Sequence, residues 1–309
     1  MKLRRLSISI ALTISMCLAA TTSVLAGPNF PPLVPLPDGW QPEGITAGKG
    51  TTVFVGSLAD GAIWQGDVRT GAGGILVDGV TGNVAVGIDY EVRADRLWVA
   101  GGPTGEVRAY DASTGDLLET YNFAGAGFLN DLVVTREAVY VTDSFAPLLD
   151  VIPLGPGGSL PDPSGAFSVP LSGTFTFVPG NFNANGIVAA RGWLLVVMSA
   201  SGELLRVDPA TGSATVVDLG GASVASGDGL ELRGDSLYVV RNFLNEVAML
   251  GLGPQLASAE LIGVITSPDL DIPTTAALQA GRLWAVNARF TTPPTPDTEY
   301  DIVRLPTKP

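Results

Sequence analysis

The chain of 309 residues has no histidine and one cysteine, Cys17, and these absences exclude several classes of site. Zinc sites of the usual kind, Ser-His-Asp triads, cysteine nucleophiles and histidine proton shuttles all require the missing side chains. Lysine is scarce as well, because only Lys49 and Lys308 lie beyond the first 26 residues. A Schiff-base lysine is therefore not expected, since Lys308 lies at the C-terminal end, where chains fray.

The first 26 residues differ in composition from the rest of the chain. Lys2, Arg4 and Arg5 precede an apolar stretch, which ends in the small-residue pattern Val24-Leu25-Ala26. These features predict a signal peptide over residues 1–26 and a secreted or periplasmic protein. The alternative is an uncleaved membrane anchor, although the apolar run is short for a bilayer span.

Positive charge is also in short supply. The chain has 17 Lys and Arg against 30 Asp and Glu, a net charge of −13. The predicted signal peptide carries three basic residues and no acidic one, so its removal moves the net charge to −16. So acidic a protein repels nucleic acid and anionic lipid. We therefore expect a monomer that acts on a small molecule, without nucleic-acid partners and without a membrane after cleavage.

What the chain does contain is glycine, at 39 residues, and a long repeat. Each unit starts with a polar or small residue, usually followed by glycine and an aliphatic residue, and continues with a triplet such as Leu97-Trp98-Val99. Six units begin near residues 43, 86, 130, 185, 228 and 274, so four spacings are 43 to 46 residues and one is 55. This period, with four short strands per unit, is typical of β-propellers.

The sequence therefore predicts an all-β fold over residues 27–309, a six-bladed β-propeller with four-stranded antiparallel blades. The last unit offers only three clear strands, so residues 33–36 are predicted to supply the fourth and to join the N- and C-terminal ends of the ring. Residues 155–183 form an insertion, and residues 291–298 form a proline-rich loop. Each either covers a site or is a plain surface loop.

The first residue of each unit defines a ring around the predicted channel, because the first strand of every propeller blade lines the axis. The ring residues are Glu43, Val86, Asn130, Asn185, Asp228 and Thr274. Four of them carry the carboxylate and amide oxygens that Ca²⁺ prefers. Without a cation, Glu43 and Asp228 would repel each other. We predict a divalent cation, Ca²⁺, held by Glu43, Asn130, Asn185 and Asp228. The alternative is that Asn, Asp and Gly begin strands because they suit turns.

The loop after each second strand returns to the face where the ring lies and is predicted to carry substrate-facing groups. The candidates are Ser57, Asp143, Ser144, Ser199, Arg241, Asn242, Asn287 and Arg289. We predict Arg241, Asn287 and Arg289 as substrate-binding residues, because an arginine can polarise a carbonyl or hold a carboxylate. The alternative for the two arginines is a salt bridge to Asp143 or Asp131.

Three phenylalanines, Phe145, Phe243 and Phe290, recur two or three residues past these strands. They either form an apolar rim for an uncharged ring or acyl chain, or pack between blades.

At the ring positions the chain resembles the SMP-30/gluconolactonase/LRE-like family of six-bladed propellers. The shared motifs are Pro42-Glu43-Gly44, Asn130-Asp131-Leu132, Asn185-Gly186-Ile187 and Asp228-Gly229-Leu230. The resemblance implies that Glu43, Asn130, Asn185 and Asp228 surround a catalytic divalent cation, commonly Ca²⁺. It also implies that Asp228 is the catalytic base or activates a water on the cation. The activities that it implies include sugar lactone hydrolysis and, in related propellers, organophosphate hydrolysis.

The chain departs from that family at Ile45 and Thr46, where proline and tryptophan are frequent, so the resemblance leaves the substrate pocket undefined. The histidine-pair mechanism of the paraoxonase branch is impossible in a chain without histidine. The leading hypothesis is an exported metal-dependent hydrolase of a lactone or related small ester. The alternative is a non-catalytic exported binding propeller with a structural Ca²⁺. A protein-interaction propeller resembling NHL repeats is less well supported, because the sequence shows no basic face.

Overall fold

The computed structural model describes residues 30–309, and the predicted signal peptide lies outside them. The chain forms six sheets, five of four strands and one of five. The first strand of each sheet contacts the first strand of the next, and the sixth contacts the first, so the sheets form a closed ring. The predicted all-β six-bladed propeller is confirmed. No helix within residues 30–309 is long and apolar enough to cross a membrane.

The strands, in chain order, are β1 Leu33–Pro35, β2 Pro42–Ala47, β3 Thr52–Ser57, β4 Ile63–Asp67, β5 Gly73–Val77, β6 Ile88–Glu91, β7 Arg96–Ala100, β8 Glu106–Asp111, β9 Leu117–Asn122, β10 Leu129–Val134, β11 Ala138–Asp143, β12 Leu148–Pro153, β13 Phe167–Pro170, β14 Ser172–Thr174, β15 Ala184–Ala190, β16 Trp193–Met198, β17 Glu203–Val207, β18 Ser213–Val216, β19 Gly227–Arg233, β20 Ser236–Arg241, β21 Glu246–Leu252, β22 Ala259–Thr266, β23 Pro273–Gln279, β24 Arg282–Asn287 and β25 Asp301–Leu305. Short 3₁₀ helices span Pro156–Gly158, Pro163–Gly165, Asn242–Leu244 and Pro254–Leu256.

Blades 1, 2 and 3 are β2–β5, β6–β9 and β10–β13, and blade 5 is β19–β22. Blade 4 is β15–β18, and β14 adds a fifth strand that pairs parallel to β18. Blade 6 consists of β23–β25 and takes its outer strand, β1, from the N-terminal end. Val34 lies opposite Ile302 in that antiparallel pair. The predicted strand closure between the two ends of the chain is confirmed.

The core lies between neighbouring blades, where the sheets pack face to face. The second strands read as nearly continuous apolar runs because both of their faces are covered. All six residues of β11 are buried, as are all five of β7. At the seam of the ring, Trp284 of blade 6 packs in one cluster with Trp64 of blade 1 and Val34 of β1. This packing fixes the inner strands, which carry the ring residues.

The recurring Asp-x-x-Thr-Gly pattern closes the hairpin between the third and fourth strands of a blade. The Asp111 carboxylate accepts the Ser113 N–H (2.8 Å), and the Gly115 N–H donates to the Asp111 carbonyl (2.9 Å). Gly115 has φ +79°, a conformation that favours glycine, so the pattern is a turn signal with a structural cause.

The two irregular segments have different roles. The insertion at residues 155–183 contains β13, the outer strand of blade 3, and β14, the added strand of blade 4, so part of it belongs to the blades. The proline-rich loop at residues 291–298 packs on the N-terminal segment, and Gly39 N–H donates to the Thr298 carbonyl (2.8 Å).

Candidate functional site

The ring residues lie where the inner strands leave regular pairing. In five blades the register between the first and second strands shifts around the ring residue and its successor, between Pro42 and Ile45, Leu129 and Leu132, Ala184 and Ile187, Gly227 and Leu230, and Pro273 and Ala276. Such bulges re-aim side chains and are frequent beside active sites. The same local irregularity therefore presents equivalent residues of five blades.

The glycine that follows a ring residue lets adjacent inner strands approach closely. A Cβ on Gly44 would lie 2.3 Å from the Val86 carbonyl oxygen, and one on Gly186 would lie 2.2 Å from the Asp228 carbonyl oxygen. Neither glycine has a left-handed φ. Blade contact, and not a turn, therefore explains these two glycines, and the turn-based alternative for the motifs fails at these positions.

A cavity of about 590 Å³ opens at the centre of the ring, where the inner strands meet. Its lining includes the ring residues of five consecutive blades, Glu43, Val86, Asn130, Asn185 and Asp228. The sixth ring residue, Thr274, is buried outside the lining and donates its hydroxyl proton to the Glu43 carbonyl (2.7 Å). All four residues predicted as metal ligands therefore lie in one wall, each less than one-tenth exposed.

The two carboxylates of this wall lie in an unfavourable environment. Burial raises the pKa of Glu43 well above its usual value, and the nearby Asp228 and Asp131 raise it further. Burial also raises the pKa of Asp228 to about 7, although the Asn242 and Asn185 amides act in the opposite direction. A divalent cation would offset this cost, because it supplies the missing counter-charge.

The amide of Asn130 is oriented by Ser144. The Ser144 hydroxyl donates its single proton to the Ala184 carbonyl (2.7 Å), which can only accept. The hydroxyl must therefore accept from Asn130, whose Nδ2 lies 2.8 Å away. Because the nitrogen end of the amide faces Ser144, the carbonyl oxygen Oδ1 is the end left to bind a ligand.

Blade 4 repeats this arrangement, and in blade 5 the partner of the ring residue donates to it instead of accepting from it. Ser199 donates to the Gly227 carbonyl and accepts from Asn185 Nδ2 (3.1 Å). In blade 5 the Asn242 amide donates to Asp228 Oδ2 (2.8 Å). In each pair the orienting residue follows its ring residue by 14 positions. Ser144, Ser199 and Asn242 therefore hold three of the predicted ligands, and the constant spacing is a sequence signal for that role.

The donor set fits a hard cation that binds oxygen. Asn130 Oδ1 is buried and has no hydrogen-bond partner among the described residues, an arrangement that is costly unless something binds it. No group of three or more His, Cys, Asp or Glu side chains within residues 30–309 is arranged to hold a metal. A cation in the cavity would therefore depend on amide oxygens beside the two carboxylates, as Ca²⁺ sites permit.

The residues predicted to bind substrate do not line the cavity. Arg241 pairs with Glu246 (Nη1 to Oε1, 2.7 Å), and Arg289 pairs with both Asp271 and Asp301 (3.0 and 2.9 Å). The Asn287 amide donates to Asp301 Oδ1 (2.7 Å). The two arginines thus form ion pairs, but with Glu246, Asp271 and Asp301 and not with the expected Asp143 or Asp131.

Asp143 also stabilises the loops at the cavity mouth. The side chain is fully buried and its carboxylate accepts backbone N–H groups of Gly127, Phe128, Phe145 and Ala146 at 2.6 to 3.0 Å. One carboxylate thus holds two loops that each present a phenylalanine.

Phenylalanines surround the cavity mouth. Phe128, Phe182, Phe243 and Phe290 line the cavity. Phe145 packs against Phe128 and Phe182, with ring centroids 6.1 and 4.8 Å apart. The rim interpretation thus describes Phe243 and Phe290, whereas the sequence did not identify Phe128 and Phe182. The sequence does contain a signal for these two phenylalanines, because each precedes a ring asparagine by two or three residues.

No family model matches the chain, and no curated protein matches it. Among solved structures, the chain is similar to the major allergen Mala s 1 of Malassezia sympodialis, at 14% identity and a TM-score of 0.70, over 90% of this chain and 96% of that one. It is also similar to a chain of a nidogen/laminin complex, at 12% identity and a TM-score of 0.59, over 82% and 96%. A third, U3-55K, has 10% identity and a TM-score of 0.56, over 85% and 80%. Likenesses at such low identity show the fold alone.

Proposed function

We propose that the protein is an exported metal-dependent hydrolase of a lactone or related small ester, related to the SMP-30/gluconolactonase/LRE-like propellers. The observation that carries the proposal is the convergence of Glu43, Asn130, Asn185 and Asp228 on one cavity. The buried, unpartnered Oδ1 of Asn130 and the raised pKa values of the two carboxylates support a cation at this wall.

Glu43 and Asp228 would hold the cation through carboxylate oxygens, and Asn130 and Asn185 through amide oxygens. Ca²⁺ fits these hard donors, and its two charges match two carboxylates. When bound, such a cation supplies Lewis-acid polarisation of a substrate carbonyl.

The protein's own contribution to the reaction is a positioned base in an enclosed pocket. Asn242 donates to Asp228 Oδ2 and so orients the carboxylate, which would accept a proton from water. The water oxygen bonds to the acyl carbon, the bond from that carbon to the ester oxygen breaks, and the proton passes to the departing alcohol oxygen. Arg241, Asn287 and Arg289 contribute by fixing loops that carry the phenylalanine rim.

Hydrolysis of a lactone panel, followed with added Ca²⁺ and with chelator, tests the proposal. We expect turnover that needs the cation, and a loss of about 10²–10⁴-fold in kcat/KM for Asp228→Asn, because the base is removed while its shape is kept. Glu43→Gln should weaken Ca²⁺ binding. Glu260→Gln, on the exposed outer strand β22, is the matched control and should behave as the wild type. Turnover that survives both site variants would contradict the proposal.

The second candidate is a binding propeller whose cation is structural. One observation favours it, because the ring residues take part in hydrogen bonds that link neighbouring blades. Ser144, Ser199 and Thr274 each donate to a carbonyl on the inner strand of the next blade. A cation there would brace the ring. A large fall in melting temperature with chelator, without turnover on any ester, would support this function over hydrolysis.

A further inference from the structure

The cavity mouth exposes more aromatic surface than a folded chain usually leaves in water. Phe182, Phe243 and Phe290 line the cavity and are 45%, 61% and 47% exposed, and Phe145, which packs on Phe182, is 40% exposed. Scattered exposed apolar residues need no explanation, but a cluster around a concave pocket marks a binding site.

The rim is held in place without a ligand. Asp143 fixes the backbone of Phe128 and Phe145. Asn183, which is 1% exposed, accepts the Val178 N–H and donates to the Asn181 carbonyl (2.7 and 2.6 Å), and so fixes the turn that presents Phe182. A preorganised wall loses little entropy when it binds an apolar group.

Apart from the ring residues, the polar side chains that line the cavity are those of Asn181, Ser199, Ser226 and Asn242, beside six apolar ones. No lysine or arginine among residues 30–309 lines it. The Ser199 hydroxyl proton is donated to the Gly227 carbonyl, and Asn242 donates to Asp228. A substrate with many hydroxyl groups would lose its water and find only Asn181 and Ser226 as further partners, which costs affinity. An apolar group would find the phenylalanine rim instead.

We infer that the cavity takes an ester or lactone whose non-reacting part is an aromatic ring or a short alkyl chain, and disfavours a polyhydroxylated lactone. The inference rests on the proposed function for the bond that is cleaved, but recognition of the apolar part is independent of cleavage. The volume of about 590 Å³ leaves room for such a group beside the reacting carbonyl, because pockets of roughly 300–1,000 Å³ hold drug-sized ligands.

Binding of the neutral fluorescent probe N-phenyl-1-naphthylamine to the full secreted chain, with Ca²⁺ present, tests this inference without requiring turnover. Phe182→Ala and Phe243→Ala should each weaken probe binding about tenfold, as expected for one lost aromatic contact. Phe167→Ala is the matched control, because Phe167 is 49% exposed in the same insertion as Phe182 but lies on the outer strand β13. A phenyl-substituted butyrolactone should displace the probe, and gluconolactone should not.

Equal effects of Phe182→Ala and Phe167→Ala, or equal displacement by both lactones, would overturn the inference. So would probe binding that is absent from the wild type. The outcome is separate from that of the proposed function. If Asp228→Asn binds the probe normally and neither it nor the wild type hydrolyses any ester, only the proposed reaction fails. If lactones are hydrolysed without preference for the phenyl group, only the present inference fails.

Discussion

The hydroxyl proton of Ser144 decides which end of the Asn130 amide faces the cavity. Since that proton goes to the Ala184 carbonyl, the amide must present its nitrogen to the serine and its oxygen to the ligand. The ring residue could be identified from the sequence because repeats place it in register. Its partner 14 residues later was assigned to substrate instead, because proton direction depends on which carbonyl lies nearby.

Removing that hydroxyl should weaken cation binding more than it weakens the fold. We expect Ser144→Ala to lower Ca²⁺ affinity by about 10–100-fold, the usual effect of losing a group that orients a metal ligand. Ser57→Ala is the matched control: Ser57 is equally buried, occupies the same position after Glu43, and donates only to the Trp40 carbonyl (2.8 Å). Calorimetric titration with Ca²⁺ measures both. An equal loss of affinity in the two variants would show that Ser144 is merely structural.

The sequence did not predict the ion pairs of the two rim arginines for a similar reason. Arg241 and Arg289 lie near the rim in sequence, but neither lines the cavity. Arg241 pairs with Glu246 across the β20–β21 hairpin, and Arg289 pairs with Asp271 and Asp301. These ion pairs depend on side-chain positions that no repeat records, whereas ring positions repeat with the blades.

At the scale of single elements, the outer strand of blade 6 shows how much a short segment contributes. β1 has only three residues, yet Val34 is fully buried and packs with Phe30 and Trp284. The sequence predicted this strand because three strands cannot complete a four-stranded blade. It did not predict that the insertion supplies β13 and β14, because strand pairing at an outer edge leaves little periodicity in residues 155–183.

Deletion of residues 30–38 should lower the melting temperature on the order of 10 °C, because it removes the buried side chains of Phe30, Val34 and Leu36 and exposes the edge of β25. Scanning calorimetry measures the shift. Leu33→Ala is the control, because Leu33 points outward from the same strand and is 37% exposed. A deletion variant that melts with the wild type would show that the closing strand adds no stability.

At the scale of the whole molecule, the closed ring gathers negative charge along its axis. Glu231 lies on the inner strand of blade 5 and Asp89 on that of blade 2, three blades apart and so on opposite sides of the ring. Burial, and after it the charge of Asp89, raises the pKa of Glu231 to about 8. The pKa of Asp89 is also raised, mainly by burial. The repeat spacing predicts the central axis. It does not predict the electrostatic repulsion across the axis, because that depends on which carboxylates the opposite blades bring to face one another.

This charge sets the direction in which stability changes with pH. Because Glu231 holds its proton more tightly in the folded chain, its contribution is fully present below the ordinary pKa of 4.5 and is lost as pH rises through about 8. Glu231→Gln keeps the shape without the charge, so it should match the wild type at pH 4 and exceed it at pH 9. The expected gain is on the order of 2 kcal/mol, less than the full shift implies because Glu231 is only partly buried. Urea unfolding at both pH values measures it, with the exposed Glu260→Gln as control.

Equal stability of Glu231→Gln and wild type at pH 9 would mean that the axis does not hold an uncompensated carboxylate, and the opposed blades would then not interact through charge.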